Sequence, residues 1–172
     1  YADAAAMFVK SLDNKTDEQV AAGAALWAGE AYYRLAQYDK AATYYRVFEN
    51  SPGAKNHPYY ASAAYNQGYV LMKQKNYSQA QQSFTRYIAS RPSDQRMLND
   101  ARLRLGDTYF MQRKYSDAQS QYDQVIGARA ADADYALFQN SIIQGVNGSL
   151  DKKISTLQKL LSDYPRSTYN DD

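Results

Sequence analysis

An all-α solenoid is the fold class this sequence predicts. Five columns of residues return three times, capping residue types follow the aromatic that ends each half-unit, and proline closes the other half. Aligning Gly29, Gly68 and Gly106, spaced by 39 and 38 residues, brings Tyr32, Leu71 and Tyr109 into register three residues on. Tyr38, Tyr77 and Tyr115 follow nine residues after the glycine, Ala41, Ala80 and Ala118 twelve after, and Tyr45, Phe84 and Tyr122 sixteen after. Self-similarity at this period is the mark of stacked supersecondary units. Partial copies flank the three. Tyr1, Ala4 and Phe8 repeat the last three columns, and Ser141, Leu150 and Leu157 fill a degraded copy in which Lys153 replaces the alanine and Gly145 and Gly148 bracket a turn.

Each period decomposes into two helices. Residues 1–15 read as a second helix without its first; 16–54, 55–92 and 93–130 read as full units, 131–165 as a degenerate one, and 166–172 as the start of another. That is about four and a half units, expected to be a segment of a longer solenoid. First helices are expected to begin near Thr16, where Gln19 completes a capping box, and near Pro58, Ser93 and Asp132. Arg34, then Lys73 and Lys75, then Arg113 and Lys114 suit the negative ends of those helices. Second helices are expected to start at the N-cap formers Asp39, Ser78, Ser116 and Asp151. They stop at Ser51-Pro52-Gly53, Arg91-Pro92 and Tyr164-Pro165, because proline cannot continue a helix. The glycine of a first helix is expected to face the alanine of the second, Gly68 against Ala80, with Tyr32, Tyr38, Tyr45, Tyr77, Tyr109, Tyr115 and Tyr122 as core.

Composition narrows the chemistry. With 172 residues, 45% hydrophobic and 14% aromatic, the chain is long and apolar enough for a core. Absence of cysteine excludes disulfides, thiolate metal sites and cysteine nucleophiles, and a single histidine, His57, excludes a multi-histidine metal centre. No apolar run of about 18 residues is present to span a membrane. A net charge of +2 with interspersed signs implies neither a nucleic-acid nor a membrane-surface patch. His57, in Asn56-His57-Pro58, reads as a surface loop residue, and Asp132 and Asp134 as acids at a helix N-terminus. Gly145-Val146-Asn147-Gly148 lacks the lysine and preceding strand of a phosphate loop and reads as a tight helix–helix turn. Trp27 reads as a packing residue, with a ligand platform left open. No catalytic, metal-binding or cofactor-binding residue is expected.

The small residue, the aromatic three on, the alanine twelve on and the aromatic sixteen on, with Pro92 and Pro165 at the closing position, resemble the tetratricopeptide repeat. The resemblance covers essentially the whole chain, although its units of 35 to 39 residues exceed the usual 34. It implies a right-handed α-α superhelix and a non-enzymatic protein-interaction scaffold. The stretch from Leu160 to Asp172 is similar to the Tyr-Pro-x-Ser return of bacterial cell-envelope repeat proteins, such as the β-barrel-assembly lipoprotein and the Tol-Pal-associated protein. That similarity implies the periplasm or the periplasmic face of the outer membrane.

By the same resemblance, one flank of the first helices lines a concave groove. At ~100° per residue, offsets of −3, +1, +4 and +5 from the small residue cluster on that flank. They select Leu26, Glu30, Tyr33 and Arg34; Tyr65, Tyr69, Met72 and Lys73; Leu103, Asp107, Phe110 and Met111; and Phe138 and Ile142. Two readings stand: packing between first helices, or a groove for an apolar or aromatic segment, with Tyr33, Tyr69, Met72 and Phe110 as its main contacts. Glu30, Arg34, Lys73 and Asp107 add mixed charge, from which weak salt dependence is expected. A peptide or partner helix is the leading ligand, a glycan stacked on aromatic rings the alternative, and an enzyme the least favoured reading. Leu157, Leu160, Leu161 and Tyr164 are expected to lie uncovered and to promote end-to-end association, with Arg166–Asp172 irregular or held by a neighbouring molecule.

Overall fold

Alanine-rich runs punctuated by aromatics at helical spacing give nine helices among residues 1–13 and 17–170, the residues that the computed structural model describes. They are α1 (Ala2–Ser11), α2 (Glu18–Arg34), α3 (Tyr38–Asn50), α4 (Tyr60–Lys73), α5 (Tyr77–Ala89), α6 (Gln95–Met111), α7 (Tyr115–Gly127), α8 (Ala133–Val146) and α9 (Leu150–Asp163), with a 3-10 turn at Ala54–Asn56. The chain divides into two compact units, Tyr1–Arg91 and Pro92–Asp172. In the first, α1 to α5 pack each against the next; in the second, α6 to α9 do the same. The first core is built on Ala22, Ala25, Ala41, Tyr45, Phe48 and Val70. The second is built on Leu103, Ala118, Tyr122, Val125, Ala136 and Ile143.

First helices start within two residues of the expected places, whereas the starts of the second helices depart from expectation. Thr16 lies outside the described residues; α2 is capped by Asp17, whose Oδ1 accepts the Gln19 and Val20 N–H groups at 2.9 and 3.1 Å. Asp94 rather than Ser93 caps α6, accepting the Met97 N–H at 3.0 Å. Asp39, Ser78, Ser116 and Asp151 are not caps. Each is the second residue of a helix that begins at the preceding Tyr38, Tyr77, Tyr115 or Leu150. The turn is set instead from the end of the first helix. Gln37, Asn76, Lys114 and Ser149 donate their N–H groups back five residues, to the carbonyls of Tyr32, Leu71, Tyr109 and Gln144, at 2.8–2.9 Å. The residue before each is left-handed: Ala36 at φ 56°, Lys75 at 58°, Arg113 at 60° and Gly148 at 71°. This is the Schellman closure, and only the last copy uses the residue it favours. A non-glycine residue there costs about 1 kcal/mol. Lys75→Gly and Arg113→Gly should therefore each stabilise the chain by that order, and Gly148→Ala should destabilise it. A melting temperature lowered by the first two would show that their side chains earn more by packing than the backbone loses.

Packing also corrects the expected register of contacts. A Cβ placed on Gly68 would meet the Phe84 ring at 2.7 Å, on Gly29 the Tyr45 ring at 3.2 Å, and on Gly106 the Tyr122 ring at 2.5 Å. The small column thus makes room for the aromatic sixteen residues on, rather than for the alanine twelve on. Of the column tyrosines only Tyr45 and Tyr122 are fully buried; Tyr32, Tyr38, Tyr77, Tyr109 and Tyr115 are half-buried. His57 is no free loop residue. Its Nδ1 accepts the Tyr59 N–H at 3.2 Å, its ring stands edge-on to Phe48, and its Nε2 lies where a Cβ on Gly23 would come within 3.3 Å.

On α9, Leu160 is buried and Leu157 and Tyr164 are half-buried, so the exposed apolar residues are Leu150, Ile154 and Leu161. From Tyr164 to Asn170 the chain forms turns and folds back on its own unit. Ser167 Oγ donates to Asp134 Oδ2 at 2.7 Å, and Tyr169 stacks on Phe138 with ring centroids 5.2 Å apart.

Candidate functional site

Within the first unit, α2 and α4 are the first helices of successive repeats and lie in contact. The groove between them is a cleft of about 460 Å³, a size usual for ligand pockets. Six of the fourteen residues expected in the groove line it: Leu26, Glu30, Tyr33 and Arg34 from α2, and Tyr65 and Tyr69 from α4. Leu26 is only 3% exposed and forms the floor. Met72 is half-buried and not among the lining residues, while Lys73 lines a separate recess beside Ala36–Lys40.

Four lining residues escaped the flank arithmetic: Trp27, Tyr59, Ser62 and Asn66. Trp27 is 41% and Tyr59 50% exposed, and their rings meet edge to face at 5.6 Å. Trp27 is thus a rim residue, its ring packed on Tyr59 and partly open to solvent. Trp27 and Asn66 share offset −2, which lies only ~20° beyond offset +5 on the helical wheel, so a slightly wider window would have included both. Tyr59 precedes α4 and answers to no helical period.

The charged groups in the cleft are held by the fold. Glu30 Oε1 accepts Arg34 Nε–H at 2.8 Å, and its Oε2 accepts the Tyr45 hydroxyl at 3.0 Å. Burial, reinforced by the nearby carboxylate, pushes the Tyr45 phenol far above its ordinary range. Tyr33 is raised too, by burial first and then by Tyr38 and Glu30, with Arg34 opposing.

The same two columns pair again in the second unit. Tyr122 donates to Asp107 Oδ1 at 2.8 Å, Tyr135 donates to the same oxygen at 2.8 Å, and Arg104 Nη1 donates to Oδ2 at 2.7 Å. Where the second helix carries tyrosine, offset +1 of the first helix carries an acid to receive its hydroxyl. In the unit whose second helix carries Phe84, that place is taken by Tyr69, whose ring stands edge-on to Phe84 at 5.7 Å. Glu30 and Asp107 are therefore structural acceptors before they are ligand contacts. Of the other expected residues, Phe110 is half-buried edge-on to Tyr115 at 5.6 Å, and Met111 is 52% exposed. Leu103 is buried, Phe138 lies under Tyr169, and Ile142 is half-buried. Among the described residues no group of three histidine or acidic side chains stands close enough to hold a metal ion, and no helix is long and apolar enough to cross a membrane.

Two family models, both described as tetratricopeptide repeat, match the chain, one at residues 1–55 and the other at residues 62–94 and 100–128. Among solved structures it is similar to YrrB, described as a TPR protein with an unusual peptide-binding site. The identity is 20% and the TM-score 0.77, covering 98% of this chain and 80% of that one. It is similar also to MamA, at 18% identity and TM-score 0.75, covering 92% of this chain and 85% of that one. BtubC from P. vanneervenii has 14% identity and TM-score 0.74, with 92% and 69% covered. At such identities the likeness is one of fold. No curated protein matches the chain.

Proposed function

Because this is a tetratricopeptide-repeat chain, we propose that it is a non-enzymatic protein-interaction scaffold whose α2–α4 cleft holds a peptide segment of a partner. The observation that carries this reading is the exposed Trp27–Tyr59 pair at the rim of a cleft floored by Leu26 and walled by Tyr33, Tyr65 and Tyr69. Tryptophan and tyrosine are among the residue types that most often carry the affinity of a protein contact. YrrB's described peptide-binding site lends support by fold alone. The Tyr164-Pro165-Arg166-Ser167 return supports a place in a bacterial cell-envelope assembly, which fractionation of the native protein would test.

The test of the cleft is selection from a displayed random-peptide library, counter-selected on Trp27→Ala and Tyr59→Ala. Both rings are substantially exposed, so the variants should melt like the parent, unlike Tyr69→Ala, whose ring packs on Phe84 and Tyr65. Enrichment of peptides that bind the parent and lose at least tenfold in affinity with either variant is the expected result, equivalent to about 1.4 kcal/mol. Enriched peptides that bind both variants as well as the parent would move the site elsewhere.

A further inference from the structure

Aromatic side chains stand at two levels of the α2–α4 cleft. Trp27 meets Tyr59 at one, with ring centroids 5.6 Å apart. Six residues further along each strand of sequence stand Tyr33 and Tyr65, and Tyr65 meets Tyr69 edge to face at 5.1 Å. Along α2 the six residues from Trp27 to Tyr33 rise ~9 Å. A polyproline II segment advances ~9.3 Å in each three-residue turn. Same-face side chains of a β-strand recur at ~6.7 Å and turns of an α-helix at ~5.4 Å.

Hydrogen-bonding capacity points the same way. A polyproline II segment has no internal hydrogen bonds, so its carbonyls are acceptors awaiting donors, and proline offers no N–H in return. The Trp27 indole and the Arg34 guanidinium in the cleft can only donate. Glu30, the carboxylate of the lining, already accepts on both oxygens, from Arg34 and Tyr45. Its charge and that of Arg34 cancel, which suits an uncharged ligand.

We propose that the α2–α4 cleft takes a proline-rich segment in the polyproline II conformation, its rings laid against Trp27 and Tyr59 at one level and Tyr33 and Tyr65 at the next. The inference rests on the cleft being the ligand site. Trp27 is the single tryptophan of the chain, so its emission reports on the cleft directly. The chain is titrated with an acetylated oligoproline of about ten residues, roughly three turns. Parallel titrations use a glycine–serine peptide of equal length, an alanine-rich helical peptide and cellohexaose.

A saturable change in Trp27 emission with oligoproline alone, weakened at least tenfold in Tyr59→Ala with the melt unchanged, is the expected result. If the helical or the glycine–serine peptide saturates the signal and oligoproline does not, the polyproline inference falls while the peptide site stands. If cellohexaose alone does so, both fall. Oligoproline binding that ignores Tyr59→Ala, or no change with any of the four ligands, overturns the polyproline inference.

Discussion

Replacing Gly106 by alanine should destabilise the chain by about 1–2 kcal/mol, although alanine is the better helix former by about 1 kcal/mol. The added Cβ would lie 2.5 Å from the Tyr122 ring, with two further ring atoms at 2.9 Å. That ring cannot yield. It is fully buried, and its hydroxyl is tied to Asp107. Overpacking a tight core costs about 1–3 kcal/mol, occasionally more. Gly29→Ala meets the Tyr45 ring only at 3.2–3.3 Å, so propensity and crowding should nearly cancel. Gly68→Ala, at 2.7 Å from a Phe84 ring that has no hydroxyl tether, should fall between. Urea melts of the three variants check the order; equal effects, or Gly29→Ala as the worst, would contradict the packing of the small column against the aromatic sixteen residues on.

Asp107→Ala should cost about 3 kcal/mol, because it leaves the fully buried Tyr122 hydroxyl, the Tyr135 hydroxyl and Arg104 without their shared acceptor. Tyr122→Phe should cost less, about 1 kcal/mol, since the carboxylate keeps two donors. The pH dependence separates this network from simple packing. Burial pushes the Asp107 carboxyl above its ordinary value of 3.8, against the pull of Arg104, Tyr122 and Tyr135. The folded chain then holds this proton more tightly than the unfolded chain. Its contribution to stability should fall as pH rises from 3.8 through the raised folded value, and stay level beyond it. In Asp107→Asn that component should vanish, while the side-chain oxygen still accepts the phenols. An unchanged acid profile of stability in Asp107→Asn would contradict the assignment. At the other extreme, the Tyr45 and Tyr122 phenols are raised far above 10.0, chiefly by burial. Stability should be lost as pH climbs past 10.0, where only unfolded tyrosines ionise freely.

The sequence by itself determined the all-α class, the helix-pair period, and the ends of second helices two or three residues before Pro52, Pro92 and Pro165. These follow from periodic burial and from the missing N–H of proline, both local and both repeated. It also pointed to six of the cleft residues, because a helical wheel groups them on one flank and the resemblance to the tetratricopeptide repeat makes that flank the groove wall. Only the tertiary structure decided the turns. Ala36, Lys75 and Arg113 look like ordinary helix formers, yet they adopt left-handed backbone because neighbouring helices must reverse there. Only the structure paired Glu30 with Tyr45 and Asp107 with Tyr122, fifteen residues apart on different helices. It alone brought Trp27 of α2 against Tyr59 before α4, and placed His57 behind Phe48. A side chain's own helix sets the direction in which it leaves, but the neighbour it meets depends on how that helix is seated on the next. Helix seating is fixed by the sum of many small packing contacts, and no single sequence position records that sum.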